Sequence, residues 1–188
     1  MRELTEVCER AVELATAAGA DEAEAYAVDE RLVSVELQKN DIQIAKSMRG
    51  DGLGIRVLKD GSAGFAYVNS LDERSISESI ETAVGIATAA PSDRYNGLPA
   101  PTPVEPLEGL YDPAAEGYGV ESAVEHSLSM LNAARGFDPR VTVDGGGLYA
   151  DVGRKAIVSS RGVRGTERAS IFYCFIKGFI VIRIQLLN

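Results

Sequence analysis

The chain has 188 residues, enough for one ordinary domain whose core needs neither a metal nor a disulfide to hold it. Hydrophobic residues make up 45% and charged residues 25%, the balance of a globular protein, and the net charge of −9 excludes a general affinity for nucleic-acid phosphates, which requires a basic face. Cys8 and Cys174 lie far apart in no metal-like spacing, and the opening MRELTEVCER lacks the apolar run of a secretory signal, so the expected setting is the cytoplasm with reduced thiols.

Apolar residues at Leu4, Val7, Cys8, Ala11, Leu14, Ala15 and Ala18 form the stripe of an amphipathic helix, with Gly19 placed for a left-handed cap. Cys8 on that stripe reads as a small buried hydrophobe. From Ala23 the period becomes two. Ala23, Ala25 and Ala27 alternate with Glu22, Glu24 and Tyr26, and Val33, Val35 and Leu37 alternate with Ser34, Glu36 and Gln38. Asn40-Asp41 is expected to turn the chain into a strand at Ile42 and Ile44. Ile55 and Val57 lead into Asp60-Gly61, a strong hairpin signal, and Gly64 to Val68 returns as the partner. The pattern predicts four antiparallel strands after the first helix.

Ser70 and Glu73 read as a capping box for a second helix with Ile76, Ile80, Ala83, Val84 and Ala87 inward, closed by Pro91. Six of the seven prolines fall between 91 and 119, so this segment is expected to be an extended surface excursion. A third helix follows, with Val120, Val124, Leu128 and Leu131 inward and Gly136 at its end. Val141 to Val143 and Ala156 to Val158 read as strands flanking a turn at Asp144-Gly145-Gly146-Gly147. The fold class is therefore α+β, a mainly antiparallel sheet with three amphipathic helices.

Residues 171–188, IFYCFIKGFIVIRIQLLN, differ from the rest. They hold four of the twelve aromatics and none of the 28 acidic residues. Lys177 and Arg183 interrupt the run, which argues against a membrane span. The expectation is a domain over 1–170 followed by an atypical tail, cut off or out of frame near residue 172.

The search for chemistry returns no catalytic, cofactor-binding or metal-ligating residue. A hydrolytic zinc centre needs three ligands around an open position, and His126 is the only histidine. No Gly-x-Ser-x-Gly elbow is present, and Ser159-Ser160-Arg161-Gly162 is followed by strand-like sequence instead of a helix. Gly50-Asp51-Gly52-Leu53-Gly54 leads into a strand and no Gly-Lys-Ser/Thr follows, so the glycines read as close backbone approach between strands and not as a phosphate loop. Glu22 and Glu24 read as a wet sheet surface.

Several pieces, in their order, resemble the N-terminal domain of the TldD/PmbA family, once called modulators of DNA gyrase. They are Ala20-Asp21-Glu22-Ala23-Glu24-Ala25-Tyr26, Gly52 to Val57, Asp60-Gly61 with Gly64-Phe65-Ala66, the helix end Ala83 to Ala87, Leu98-Pro99-Ala100-Pro101, Leu110-Tyr111-Asp112-Pro113 and Ser159-Ser160-Arg161-Gly162-Val163. The two proline pieces point toward the PmbA (TldE) type. The resemblance implies one chain of a two-chain cytoplasmic metallopeptidase complex that degrades unfolded or modified peptides, bound as extended strands. It implies zinc only in the C-terminal half of a TldD-type chain, within a His-Glu-x-x-x-His motif that has no counterpart here. The expected partners are a second TldD/PmbA-type chain and extended peptides, with no nucleic acid and no membrane. The chain alone is expected to be inactive. The alternative is an autonomous, non-catalytic module that binds peptides or partners by strand addition.

Overall fold

The computed structural model describes residues 3–105 and 107–180. Within them the chain runs α1 (Leu4–Ala17), β1 (Glu22–Gln38), β2 (Asp41–Lys59), β3 (Ser62–Val68), α2 (Glu73–Ala89), a short 3-10 helix (Pro113–Gly117), α3 (Val120–Phe137), β4 (Val141–Ser159) and β5 (Arg164–Ile180). The five strands form one sheet in the order β3-β2-β1-β4-β5. This is the α+β, mainly antiparallel fold that the periodicities predict, with its three helices.

Local chemistry explains most boundaries. α1 ends as its apolar stripe predicts: Ala20 N–H donates to Ala15 O at 3.1 Å, Gly19 N–H to Thr16 O at 3.0 Å, and Gly19 takes φ +95°. That pair of bonds is the Schellman motif, and glycine supplies the left-handed residue it needs. The β2–β3 hairpin closes with Lys59 opposite Ser62, leaving Asp60 and Gly61 as a two-residue loop at φ +51° and +76°. Positive φ at both positions is the type I′ geometry whose twist matches its strands.

Four expectations are corrected. The predicted four strands after α1 are three, because β1 and β2 run unbroken for 17 and 19 residues. The first half of β2 is almost wholly exposed, so it carries no alternating apolar signal. The β1–β2 turn is Lys39-Asn40 (φ +51° and +64°), one residue earlier than Asn40-Asp41. The cap of α2 is Asp72, not Ser70. Its carboxylate accepts from Ser75 N–H at 2.9 Å, while Ser70 donates its hydroxyl to the Asp72 carboxylate. Residues 144–147 make no turn, because β4 is continuous through them. A Cβ at Gly146 would lie 2.7 Å from Phe175 O, so that glycine allows β4 and β5 to approach. Gly52 does the same in β2, 2.9 Å from Val68 O, as expected of a glycine that serves strand packing.

The contacts divide into two compact units. The first, residues 1–30, 50–110 and 153–169, packs α1 and α2 on the alanine- and valine-rich faces of β1, β2 and β4. Cys8 is fully buried there, as its place on the stripe predicts. The second, residues 31–49, 111–152 and 170–188, packs α3 over Val33, Val35, Leu37, Val143, Leu148 and Ala150. The proline-rich segment has no regular structure from Pro91 to Asp112, apart from undescribed Pro106, and it is pinned by Leu98, which is buried.

Candidate functional site

The segments that carry the family resemblance converge in the first unit. Ser160 N–H donates to Ala23 O at 2.8 Å, and Ser160 Oγ accepts from Ala23 N–H at 2.9 Å. Leu98 N–H donates to the Glu22 carboxylate at 2.7 Å, and Arg161 reaches the same carboxylate at 3.4 Å. Asp21 accepts from Asp60 N–H at 2.7 Å. Gly162 sits at φ +89° beside Pro101. These residues latch the β4–β5 turn and the proline-rich segment onto the start of β1. Every one of these polar groups is spent on backbone or on an ion pair. Glu22 and Glu24 are not coupled to each other: Glu24 binds Arg56 at 2.8 Å on a half-exposed sheet face.

In the second unit, Asp112 caps the 3-10 helix through Ala114 N–H at 2.8 Å, with Pro113 at its first position. Arg31 fixes that helix from the other end, donating to the carbonyls of Ala115, Glu116 and Tyr118 at 2.9–3.0 Å. His126, on α3, holds its Nδ1 2.8 Å from the Tyr118 hydroxyl, and the two rings stack at 5.7 Å. Burial, and after it the neighbouring Cys174, push the Tyr118 hydroxyl above its ordinary pKa. Among the described residues no three His, Cys, Asp or Glu side chains gather as metal ligands. One histidine committed to a tyrosine, a buried thiol at Cys8 and an exposed one at Cys174 do not fit a zinc centre.

What the sheet does present is an edge. β5 is the last strand in the order, with β4 as its one neighbour among the described residues. Every residue from Ile171 to Ile180 is exposed, including Phe172 (52%), Tyr173 (57%) and Phe179 (51%). Phe172 sets its ring edge against Tyr118 at 4.9 Å, and Tyr173 stacks between Tyr149 (6.2 Å) and Phe175 (5.7 Å). Lys177 pairs with Asp144 at 2.8 Å. A cavity of about 310 Å³ opens where Ala134 and Phe137 of α3 meet Val143, Ile176 and Phe179. Such a strand offers free backbone donors and acceptors beside apolar side chains, the chemistry of strand addition. The sequence flagged this stretch as anomalous, and its acid-free run was the signal. The rest of the tail, residues 181–188, lies outside the described residues.

Two family models match in chain order: PmbA/TldA metallopeptidase domain 1 over residues 23–87, and the PmbA/TldA metallopeptidase central domain over 114–180. The chain belongs to the PmbA/TldD family. Domain 1 covers β1 through most of α2, and the central domain covers the 3-10 helix, α3, β4 and β5 as far as Ile180. An uncharacterized Methanocaldococcus jannaschii protein, MJ0231, is 27% identical over 140 residues, 74% of this chain and 32% of its own. The fold is that of TldE from Thermococcus kodakarensis, at a TM-score of 0.87 and 21% identity over 94% of this chain. A Bacteroides thetaiotaomicron protein described as a candidate modulator of DNA gyrase has the same fold, with a TM-score of 0.80 and 18% identity over 92% of this chain. This PmbA/TldD chain spans 40% of each of those solved chains and about a third of MJ0231.

Proposed function

We propose that the chain acts as the N-terminal part of a PmbA-type subunit in a cytoplasmic metallopeptidase complex that degrades unfolded or modified peptides. In this reading it contributes scaffold and docking surface, and a TldD-type partner contributes the zinc and the hydrolytic chemistry. The observation that carries the reading is the ordered match to both family domains in a chain whose donor set does not fit zinc. The TldE fold match agrees with the PmbA-type direction of the Leu-Pro-x-Pro and Leu-Tyr-Asp-Pro pieces. Under this reading the catalytic half, and any zinc motif, belong to sequence outside these 188 residues.

The test mixes the chain with a zinc-loaded TldD-type protein and follows co-elution, with hydrolysis of an unstructured peptide measured for each component alone. The expected result is a stable complex, and no hydrolysis by this chain alone. Isothermal titration is expected to find no stoichiometric zinc on it. One tight zinc per chain, lost in His126→Ala, overturns the reading, as does chelator-sensitive hydrolysis by the isolated chain.

The second reading, an autonomous module that captures extended peptides, is favoured by the open β5 edge. The coding sequence downstream, read in all three frames, separates the two. A homologous continuation supports the subunit reading, and its lack supports the module.

A further inference from the structure

We infer that β5 pairs with β5 of a second copy of this chain, antiparallel about a two-fold axis at Cys174. This goes beyond the peptidase reading and does not depend on it, since every group involved lies on β5 and its neighbours in the second unit.

The first ground is backbone phase. Ser159 N–H donates to Val163 O at 2.9 Å, which sets the narrow pair that opens the β4–β5 ladder. Antiparallel ladder bonds recur every second residue, so odd-numbered residues of β5 turn their polar groups toward β4. Phe172, Cys174 and Ile176 therefore turn their N–H and C=O groups to the open edge. An axis at Cys174 places Cys174 opposite Cys174 and Phe172 opposite Ile176, each as a hydrogen-bonded pair.

The second ground is self-complementarity. The same register sets Tyr173 opposite Phe175, so aromatic meets aromatic and Phe172 meets a β-branched side chain, the favoured cross-strand pairings. From Ser170 to Ile180 the only charge is Lys177, already paired with Asp144 at 2.8 Å, and there is no proline or acid to guard the edge. The two Lys177 side chains fall six positions apart, roughly 20 Å, beyond the Debye length. An axis at Ile176 instead would bring them within about 7 Å, so charge selects against it.

The third ground is area. Ile171, Phe172, Tyr173, Phe175, Ile176 and Phe179 are 38–61% exposed. At roughly 200 Å² for a large side chain, that leaves about 600 Å² of apolar surface per copy, of the order of the ~800 Å² per partner that a stable interface buries.

Light scattering on size-exclusion eluate of the full chain is the test, at concentrations from about 1 to 100 µM (roughly the span of ordinary protein affinities). The expected mass is twice the 20.0 kDa of one chain. Cys174→Pro removes an outward N–H and no β4–β5 bond, so it is expected to yield a monomer with unchanged circular dichroism. Ile176→Lys, which leaves the backbone alone, is expected to raise the dissociation constant about 100-fold, as loss of a central anchor does. Opposed Cys174 residues have Cα atoms about 5.5 Å apart, inside the disulfide range, so mild oxidation is expected to cross-link the native dimer and not Cys174→Ser. A monomer throughout overturns the inference. So does a dimer indifferent to both variants, a dimer that resists Cys174 cross-linking, or a polydisperse aggregate.

Discussion

Gly64 carries the sharpest test of how α2 lies on the sheet. A Cβ added there would stand 2.7 Å from Ala87 N and closer still to Ala83 O, both backbone atoms of α2. Neither can rotate away as a side-chain tip would, so Gly64→Ala forces the helix off β3. Ile76, Ile80, Ala83 and Ala87 of that helix are core residues, and each loses packing as it lifts. Overpacking by a methyl group costs about 1–3 kcal/mol, and an obstruction made of helix backbone belongs at the upper end, about 3 kcal/mol. Gly85→Ala is the control. Gly85 is an exposed α2 residue, and its Cβ would meet no heavy atom within 4 Å. Replacing a mid-helix glycine by alanine gains about 0.8–1.0 kcal/mol. At about 2–4 °C per kcal/mol for a chain of this size, Gly64→Ala is expected to lower Tm by about 6–12 °C and Gly85→Ala to raise it by about 2–4 °C. Differential scanning calorimetry of both variants reads the pair. A Gly64→Ala Tm within about 2 °C of the parent (about half a kcal/mol) would refute the close seat of α2 on β3.

Gly61→Val is expected to cost about 1–2 kcal/mol for a β-branched residue at positive φ. Its Cβ would also sit 2.6 Å from Ser92 Oγ, and urea unfolding measures the loss. Ser127 is fully buried on α3, and its hydroxyl has no hydrogen-bond partner among the described residues. Ser127→Ala removes that cost and improves helix propensity, so a gain of about 1 kcal/mol is expected from the same assay. Burial pushes the Cys8 thiol up to about 11, above its ordinary 9.0. The folded state thus keeps a proton that the unfolded chain releases, so stability falls as pH rises from about 9 towards 11, by roughly 2–3 kcal/mol. In Cys8→Ala that alkaline slope is expected to flatten, and an unchanged slope would assign it to other groups.

The parts of the fold that were legible in sequence are those whose chemistry is local. The α1 stripe with Gly19, the Asp60-Gly61 hairpin and the α2 stripe each encode their own geometry within a few residues. Strand length was not legible, because the exposed start of β2 and the glycines of β4 give no alternation to read. The Ser70 error is of the same kind. Ser-x-x-Glu is a capping signature, but Asp72 also carries a capping side chain and stands immediately before the helix. The convergence of Glu22, Leu98 and Arg161 was beyond any local pattern, since 139 residues separate Glu22 from Arg161. Family order could group those pieces, and only the fold gives them a shared task.

The acid-free run is where sequence and structure constrain each other most. A strand buried on one face alternates, whereas a strand covered on both faces reads as a continuous apolar run. Residues 171–176 carry no charge, yet all six are exposed in the isolated chain. The acidic residues elsewhere keep the surface of this −9 chain wet, so the exception is confined to the edge where pairing remains open. Selection for solubility alone would place lysine, glutamate or proline on such an edge. Their absence from residues 171–176 fits a strand whose free side is covered in the working protein. A second β5 and the remainder of a full-length subunit would both supply that cover, and they compete for the same backbone groups. Self-pairing is therefore strongest in the isolated chain, and any continuation that adds a strand beside β5 should abolish it.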